Sequence, residues 1–452
     1  MVDVLLVQPP LPKPMHEFTG SLIISPPLGL GYIASMLIQN GISVEVIDMA
    51  VLKMGLDDFR RELRRKDPKI VGISAETLTS KNALKIAGLV KEVDEEKWTI
   101  LGGPHATFKD EEALRNPNVD VVVRREGEIT MLTLVQQILQ GETDLEHVEG
   151  ITFRKNDRII RNPDRPLISN LDALPTPVRE LFPLNMYKLP GTLITSRGCP
   201  AKCIFCSANA ISGGKYRIRS PDSVVNEITC MIEKFNFDKF FIADDTFTVF
   251  RDRTEKICQM LRKLGIIWFC ESRVNTVDKE LLGCMAKAGC KIIQFGIESG
   301  SEGILKSIRK GITLEQATKA VKWSIEAGIK PVCSFMVPHP EDTMETINET
   351  KNFMEKLKAM GALVVVSVTT PFPGTYLHDH AEEMGLKIIS DDYDMYDMVT
   401  PLFTTRNLTL EQIEEAFDDL LSVCITQDAF QIIENHKTPK DVDRGGFEPP
   451  TS

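Results

Sequence analysis

No cysteine occurs before residue 199 in this chain of 452 residues. No apolar run approaches the roughly 18 residues that a membrane-spanning helix needs, so no transmembrane segment is predicted. The opening Met1 to Pro10 stretch has no basic region, apolar core or small-residue cleavage site. No export signal is therefore expected, and the chain is placed in the cytoplasm. Positive charge is also short, with 53 Lys and Arg against 64 Asp and Glu, a formal charge of −11. That balance argues against broad binding to nucleic acid or to anionic membrane. The Gly-x-Gly-x-x-Gly fingerprint is missing as well, which argues against a dinucleotide. What remains is ordinary for a globular protein: 42% hydrophobic and 26% charged residues exclude a disordered chain. At roughly 150 residues per domain the length allows about three domains.

The first part alternates short β-branched runs with amphipathic patterns. Strands are predicted at 2–7, 42–47, 69–74, 98–101 and 119–123, with helices at 29–39, 56–65, 81–93 and 130–139. This alternation predicts an α/β domain over 1–142, a doubly wound parallel sheet that binds ligands at the carboxyl ends of its strands. Residues 143–190 are rich in proline and turns, and read as a linker with a short hairpin from Gly150 to Ile160. Alternation resumes over 191–385, with six strands at 192–195, 239–243, 266–271, 291–297, 331–337 and 363–369. Six β/α units fit a partial barrel with its active residues at the C-terminal strand ends. A small helical cap is expected over 386–436, its helix running from Leu410 to Gln427 after Thr409. The aperiodic tail, 437–452, is expected to be disordered. Its last eight residues resemble peptides made where a reading frame runs into an adjacent RNA gene.

Of the ten cysteines, three cluster in Cys199-Pro200-Ala201-Lys202-Cys203-Ile204-Phe205-Cys206, directly after the first barrel strand. In a chain with no export signal these are reduced thiols, and clustering points to metal or catalysis. Three thiolates can wrap one compact soft-metal centre. A zinc site needs a fourth ligand, and no other His or Cys lies within 20 residues on either side. An iron–sulfur cube on three cysteines leaves one iron open, free to bind a small molecule's amino and carboxylate groups. Three core cysteines that merely fall close together, or a zinc site completed from afar, are the other readings.

The cysteine spacing, with Phe205 before the last, resembles the radical S-adenosylmethionine (SAM) superfamily signature, over roughly Thr192 to Thr375. The resemblance implies a [4Fe-4S] cluster on Cys199, Cys203 and Cys206, with SAM on the fourth iron, cleaved reductively to methionine and a deoxyadenosyl radical. It further implies SAM contacts from three strand ends: Asp244 and Asp245, Arg273 in Glu271-Ser272-Arg273, and Glu298 and Ser299. Helix capping by the two aspartates and a structural salt bridge for Arg273 are the competing readings. The fifth strand departs from the pattern: Pro338-His339-Pro340-Glu341-Asp342-Thr343 stands where relatives have Gly-x-Pro-Gly-Glu-Thr. Losing both glycines stiffens that loop. His339 is then expected at the cavity rim, where it could act on substrate or make a surface hydrogen bond. Cys270 and Cys333 read as small core residues.

In the first domain, Pro26-Pro27-Leu28-Gly29-Leu30-Gly31-Tyr32, Ser74-Ala75-Glu76-Thr77, Gly102-Gly103-Pro104-His105 and Arg125-Glu126-Gly127-Glu128 occur in an order that resembles the cobalamin-binding domain of the cobalamin-dependent radical SAM family. With the barrel, the resemblance accounts for most of the chain. It implies cobalamin contacts from Ser74, Thr77, Gly102, Gly103 and Glu126. None of the seven histidines has Asp two residues before it, so cobalamin is expected without the histidine ligand of Asp-x-His-x-x-Gly. The implied activity is methyl transfer to an unactivated carbon of a small-molecule, lipid or peptide substrate. The electrons would come from a donor such as ferredoxin or flavodoxin. Three alternatives stand beside it: ring formation or rearrangement without methyl transfer, tRNA methylthiolation, and a non-enzymatic cobalamin sensor or carrier. Methylthiolation normally brings a second cysteine cluster before the barrel and a basic appendage, both missing here.

Overall fold

The computed structural model describes residues 2–12, 25–156 and 158–424. The first domain runs β1 (Val4–Gln8), α1 (Leu28–Gln39), β2 (Val44–Asp48), α2 (Leu56–Lys66), β3 (Ile70–Ser74), α3 (Ser80–Val93), β4 (Trp98–Gly102), α4 (Pro104–Phe108), α5 (Asp110–Leu114), β5 (Val121–Val123) and α6 (Gly127–Leu139). Helices cover both sheet faces, which is why β1 reads as a continuous apolar run: Val4, Leu5, Leu6 and Val7 are all buried. α2 shows how little core a surface helix needs. It buries only Phe59 and Leu63, with Asp57 and Asp58 in its first turn and Arg64, Arg65 and Lys66 in its last, matching the helix dipole.

The sheet order is β2-β1-β3-β4-β5, all parallel, followed by β6 (Ile151–Lys155) and β7 (Arg158–Arg161), both antiparallel. The hairpin expected within the 143–190 linker therefore belongs to the first sheet. Val121, Val122 and Val123 of β5 would otherwise form an open edge, and they pair with Phe153, Thr152 and Ile151. The connecting segment that follows is tied to both neighbours. The Tyr187 hydroxyl donates to Asp48 at 2.8 Å, and Arg179 reaches Glu227 of the barrel at 2.9 Å.

The barrel comprises β8 (Thr192–Leu193), β9 (Ser196–Arg197), α7 (Ala208–Ile211), β10 (Arg217–Ile218), α8 (Pro221–Phe235), β11 (Lys239–Ile242), α9 (Arg251–Leu261), β12 (Ile267–Ser272), α10 (Lys279–Lys287), β13 (Cys290–Glu298), α11 (Glu302–Ser307), α12 (Leu314–Glu326), β14 (Lys330–Val337), α13 (Met344–Ala359) and β15 (Leu363–Val368). Its six main strands lie in the order β15-β14-β13-β12-β11-β8, all parallel, an open barrel. Capping side chains start the outer helices: Ser220 accepts from Ser223 N, and Thr313–Gln316 and Thr343–Thr346 form capping boxes. Inside the barrel, Leu189, Phe269, Ile292, Val332 and Leu363 form an apolar plug at the N-terminal end. That plug leaves the C-terminal end of the barrel for polar side chains.

After α14 (Tyr376–Asp379), β16 (Lys387–Ile388) and β17 (Phe403–Thr404) pair as a small antiparallel hairpin, followed by α15 (Leu410–Val423). The expected helical cap is thus part hairpin, because Leu402 and Phe403 are buried and bring an extended segment onto the barrel. The rest of the expected cap and the tail 437–452 lie outside the described residues. Among the described residues, no helix is long and apolar enough to cross a membrane.

Glu227 holds Arg179 and, at 2.5 Å, Arg219, with all three side chains buried. Glu227→Ala leaves two buried guanidiniums without a counter-charge and should cost about 3–5 kcal/mol. Lys234→Ala, which breaks an exposed pair with Glu180, should cost under about 1 kcal/mol. Urea denaturation of the two variants against the parent checks the contrast.

Candidate active site

At the C-terminal ends of β1, β3, β4 and β5 lies a cavity of about 570 Å³, closed on its other side by the start of the barrel. This is the crevice beside β1, where the strand order reverses direction and doubly wound sheets hold ligands. Ser74, Gly102, Gly103 and Glu126 all line it. Gly103 has φ +107°, and a Cβ there would lie 2.9 Å from the Ala75 carbonyl oxygen. Only glycine fits, and the β4–α4 turn stays low enough to leave the floor open. Thr77 does not reach this wall. It is buried behind it, with its hydroxyl 3.3 Å from Nδ1 of His105. Burial, helped by Lys109, pushes the His105 imidazole down to about 4, so it is neutral at physiological pH. The neighbour Glu76 faces the cavity instead, its carboxyl raised by burial and by Asp48.

Glu126 is a wall residue whose carboxylate is already engaged. It accepts from Arg197 and Arg217 at 2.8 Å each and from Ile168 N at 2.8 Å. Burial opposes its ionisation, but Arg217 and Arg197 outweigh burial and hold the carboxyl below its usual range. Beside it, Glu128 Oε2, Ser196 Oγ and Arg217 Nε are buried without a partner, and all three residues line this cavity. Orphaned polar atoms in a buried wall mark a place for a polar ligand. The amide-bearing rim of a corrinoid, with donors and acceptors together, matches that set.

A second cavity, of about 360 Å³, opens at the C-terminal end of the barrel and is lined by Cys199, Cys203, Cys206, Phe205, Asp245, Arg273 and Glu298. Gly198, at φ +89°, launches the cysteine loop, and a Cβ there would overlap the Lys215 carbonyl. The three thiols are free. Thr246 Oγ1 lies 3.6 Å from Cys199 Sγ, and Arg273 Nη1 lies 3.8 Å from Cys203 Sγ. Among the described residues, no three His, Cys, Asp or Glu side chains converge on a single ion. Three thiols spread around one cavity suit a multi-iron cube, whose separate iron atoms each take one ligand.

The other expected contacts divide between the cavity and the framework behind it. Asp245 faces the cavity, but Asp244 is buried and accepts from Thr195 N at 2.6 Å and Ser196 N at 3.0 Å. Adjacent residues at a strand end point to opposite sides. Glu298 reaches the cavity, with φ +77° and a buried ion pair to Lys310 at 2.7 Å. A Cβ on Gly296 would overlap the Glu298 carboxylate, so the glycine makes room for this pair. Ser299 turns away and packs its hydroxyl 3.2 Å from that of Thr350.

His339 is 1% exposed, not at a rim. Its Nε2 lies 3.3 Å from the Glu298 carbonyl oxygen, and its ring centre is 6.0 Å from that of Phe205. It supports the wall from behind, because Asp342 accepts from His339 N at 2.7 Å and folds the loop inward. Cys270 and Cys333 are buried in the barrel core.

Glu271, Gln294, Lys310, Ser334 and Ser367 also line this cavity. For Gln294, Ser334 and Ser367 a signal was present: each is a polar interruption in an otherwise apolar strand. Burial, with Asp245, Asp244 and Glu298 nearby, pushes the Glu271 carboxyl up to about 7.

Asp245 belongs to both cavities. The paired aspartates are therefore separable by mutation. Asp244→Ala strands two buried backbone donors and should cost about 2–4 kcal/mol in a denaturation experiment. Asp245→Asn keeps an acceptor and should stay within about 0.5 kcal/mol.

Comparison with known proteins agrees with this geometry. The Radical SAM superfamily profile matches residues 193–354, and the B12 binding domain profile matches residues 23–135. The chain is 34% identical over 422 residues to the uncharacterized methyltransferase PH0819 of Pyrococcus horikoshii, covering 92% of this chain and 90% of that one. It is 30% identical to the anaerobic magnesium-protoporphyrin IX monomethyl ester cyclase of Rubrivivax gelatinosus, over 88% of this chain and 73% of the relative. Among solved structures, the radical SAM methyltransferase TsrM of Kitasatospora setae, with cobalamin and a [4Fe-4S] cluster bound, superposes with a TM-score of 0.75. The match has 18% identity and covers 95% of this chain and 90% of that one. The cobalamin-dependent radical enzyme OxsB gives the same TM-score at 22% identity, over 92% and 66%. With both profiles matched in order and a relative this similar along nearly its whole length, the chain belongs to the cobalamin-dependent radical SAM family.

Proposed function

We propose that this enzyme transfers a methyl group to an unactivated carbon of its substrate. The observation that carries the reading is the shared wall at Asp245, which puts the two cavities side by side at the strand ends. The chemistry supplied by the groups held there is one-electron reduction of SAM at the cluster and methyl donation from cobalamin. Cys199, Cys203 and Cys206 would hold the cluster in the smaller cavity, with Arg273 beside Cys203, its Nη1 3.8 Å from the sulfur. The Arg273 guanidinium is anchored by the Lys310 carbonyl oxygen, so it meets an incoming carboxylate already oriented. The Glu126–Arg197–Arg217 ion pairs fix one wall of the larger cavity.

The methyltransferase of Pyrococcus horikoshii supports this reading over simple binding or transport. Small molecules, lipids and peptides remain the substrate classes. Electrons come from a carrier such as ferredoxin or flavodoxin, and the −11 charge speaks against nucleic acid as substrate. The similarity to the Rubrivivax cyclase keeps a second reading in view, a change of carbon skeleton without methyl transfer.

Anaerobic reconstitution with iron, sulfide and cobalamin, followed by SAM and a reductant, is the test. Wild-type enzyme should form deoxyadenosine, and with its substrate also S-adenosylhomocysteine. Deoxyadenosine without S-adenosylhomocysteine would favour the second reading. Cys203→Ala should drop deoxyadenosine to background while the cobalamin absorbance spectrum persists. Deoxyadenosine formation at the wild-type rate by that variant would refute the cluster assignment.

A further inference from the structure

The charges around the smaller cavity do not balance. Five ionisable side chains other than the thiols line it: Asp245, Glu271, Glu298, Arg273 and Lys310. Neither cation acts on Glu271. Lys310 is paired with Glu298 at 2.7 Å, both side chains buried, and Arg273 is turned to the Lys310 carbonyl and to Cys203 Sγ. The Asp245 carboxyl is raised by burial and by Asp244, and the Gly198 backbone N–H offsets part of that rise. Among the described residues Glu271 has neither a hydrogen-bond donor nor a cation for its carboxylate, and the charges acting on it, Asp245, Asp244 and Glu298, are all negative.

Its position makes this exposure to the cavity obligatory. Glu271 stands one residue before the end of β12, in register with Gln294 of β13, another cavity residue. Its own carbonyl is occupied, accepting from Phe247 N at 3.0 Å, which pins the strand end. A cavity so charged favours a cation, and an unpaired carboxylate inside it has the most to gain from one.

We propose that the Glu271 carboxylate distinguishes the positively charged sulfonium of SAM from the neutral thioether of S-adenosylhomocysteine. The inference rests on the reading that SAM occupies this cavity. The two molecules differ by one methyl group and by one positive charge, and the charge is the part an unpaired carboxylate can read. Reading it lets the spent neutral product leave a site that holds the cation. The raised carboxyl of Glu271 adds a consequence with a definite sign. Protonated at low pH, it offers the sulfonium no charge. Ionised at higher pH, it does. SAM affinity therefore rises with pH.

The test is equilibrium dialysis of SAM and of S-adenosylhomocysteine against enzyme carrying cluster and cobalamin, without reductant, so that nothing turns over. Glu271→Gln keeps the side chain's size and removes its charge. We expect it to weaken SAM about tenfold, near the worth of one partly screened charge pair, and to leave S-adenosylhomocysteine unchanged. Glu271→Asp should fall between. Between about pH 6 and about pH 8 wild-type affinity for SAM should climb more steeply than that of the Gln variant, which keeps only the rise from SAM's own amino group losing its proton to bind iron. Equal weakening of both ligands would mean that Glu271 only shapes the wall, and no weakening would mean that it is a bystander. Either result overturns the proposal while wild-type binding of SAM still upholds the parent reading. Wild-type enzyme that binds no SAM at all would instead strike at the parent reading.

Discussion

Arg197 joins the two halves of the molecule at the point where their cavities meet. Its guanidinium leaves β9 and reaches Glu126 at 2.8 Å and Glu128 at 2.5 Å, both at the start of α6 in the first domain. It also lies over the Tyr32 ring of α1, 5.3 Å from the ring centre. Arg217 on the neighbouring strand β10 grips the same Glu126. Buried ion pairs of this kind add little net stability, because desolvation offsets the attraction, but breaking one is costly. Their effect here is register. Two residues after Arg197 comes Cys199, so the clasp that fixes the domains also fixes where the cysteine loop begins.

From that constraint the division of the site follows. The larger cavity is walled by the paired charges of Glu126, Glu128, Arg197 and Arg217, by the unpaired Glu76 and by a few orphaned polar atoms, which suits a large polar ligand. The smaller one holds three thiols and more carboxylate than cation, which suits an iron cluster and a cationic ligand. Asp245 stands where the two meet. Clasp and cysteine loop form one continuous stretch of chain, Arg197 to Cys206, and Asp245 lines the cavities at both its ends.

Most of this architecture was legible in the sequence because strands buried on both faces announce themselves as apolar runs. All six main barrel strands fall within a few residues of their expected positions for that reason. The hairpin at 151–161 was visible as a hairpin, but its membership of the first sheet depended on the partner strand β5, which no local pattern names. At the site, the cysteine spacing and the Gly102-Gly103 pair pointed to the cavities directly. Asp244, Thr77 and Ser299 did not reach them. Strand-end motifs give residue types, whereas the side each residue faces depends on where the pleat stops, and a one-residue difference sends Asp244 into the framework and Asp245 into the cavity. His339 was drawn inward by Asp342, a contact within its own loop. Lys310 was hidden because it sits between helices and acts only through Glu298.

The central claim is that the two cofactor sites adjoin across one wall so that they serve a single substrate. Electron paramagnetic resonance of the enzyme carrying both a reduced cluster and cob(II)alamin tests this most directly. Adjoining cavities predict spins close enough to perturb one another, so the spectrum should differ in line shape and relaxation from the sum of the singly loaded samples. A spectrum that is the plain sum of the two would place the centres too far apart to share a substrate, and would contradict the account.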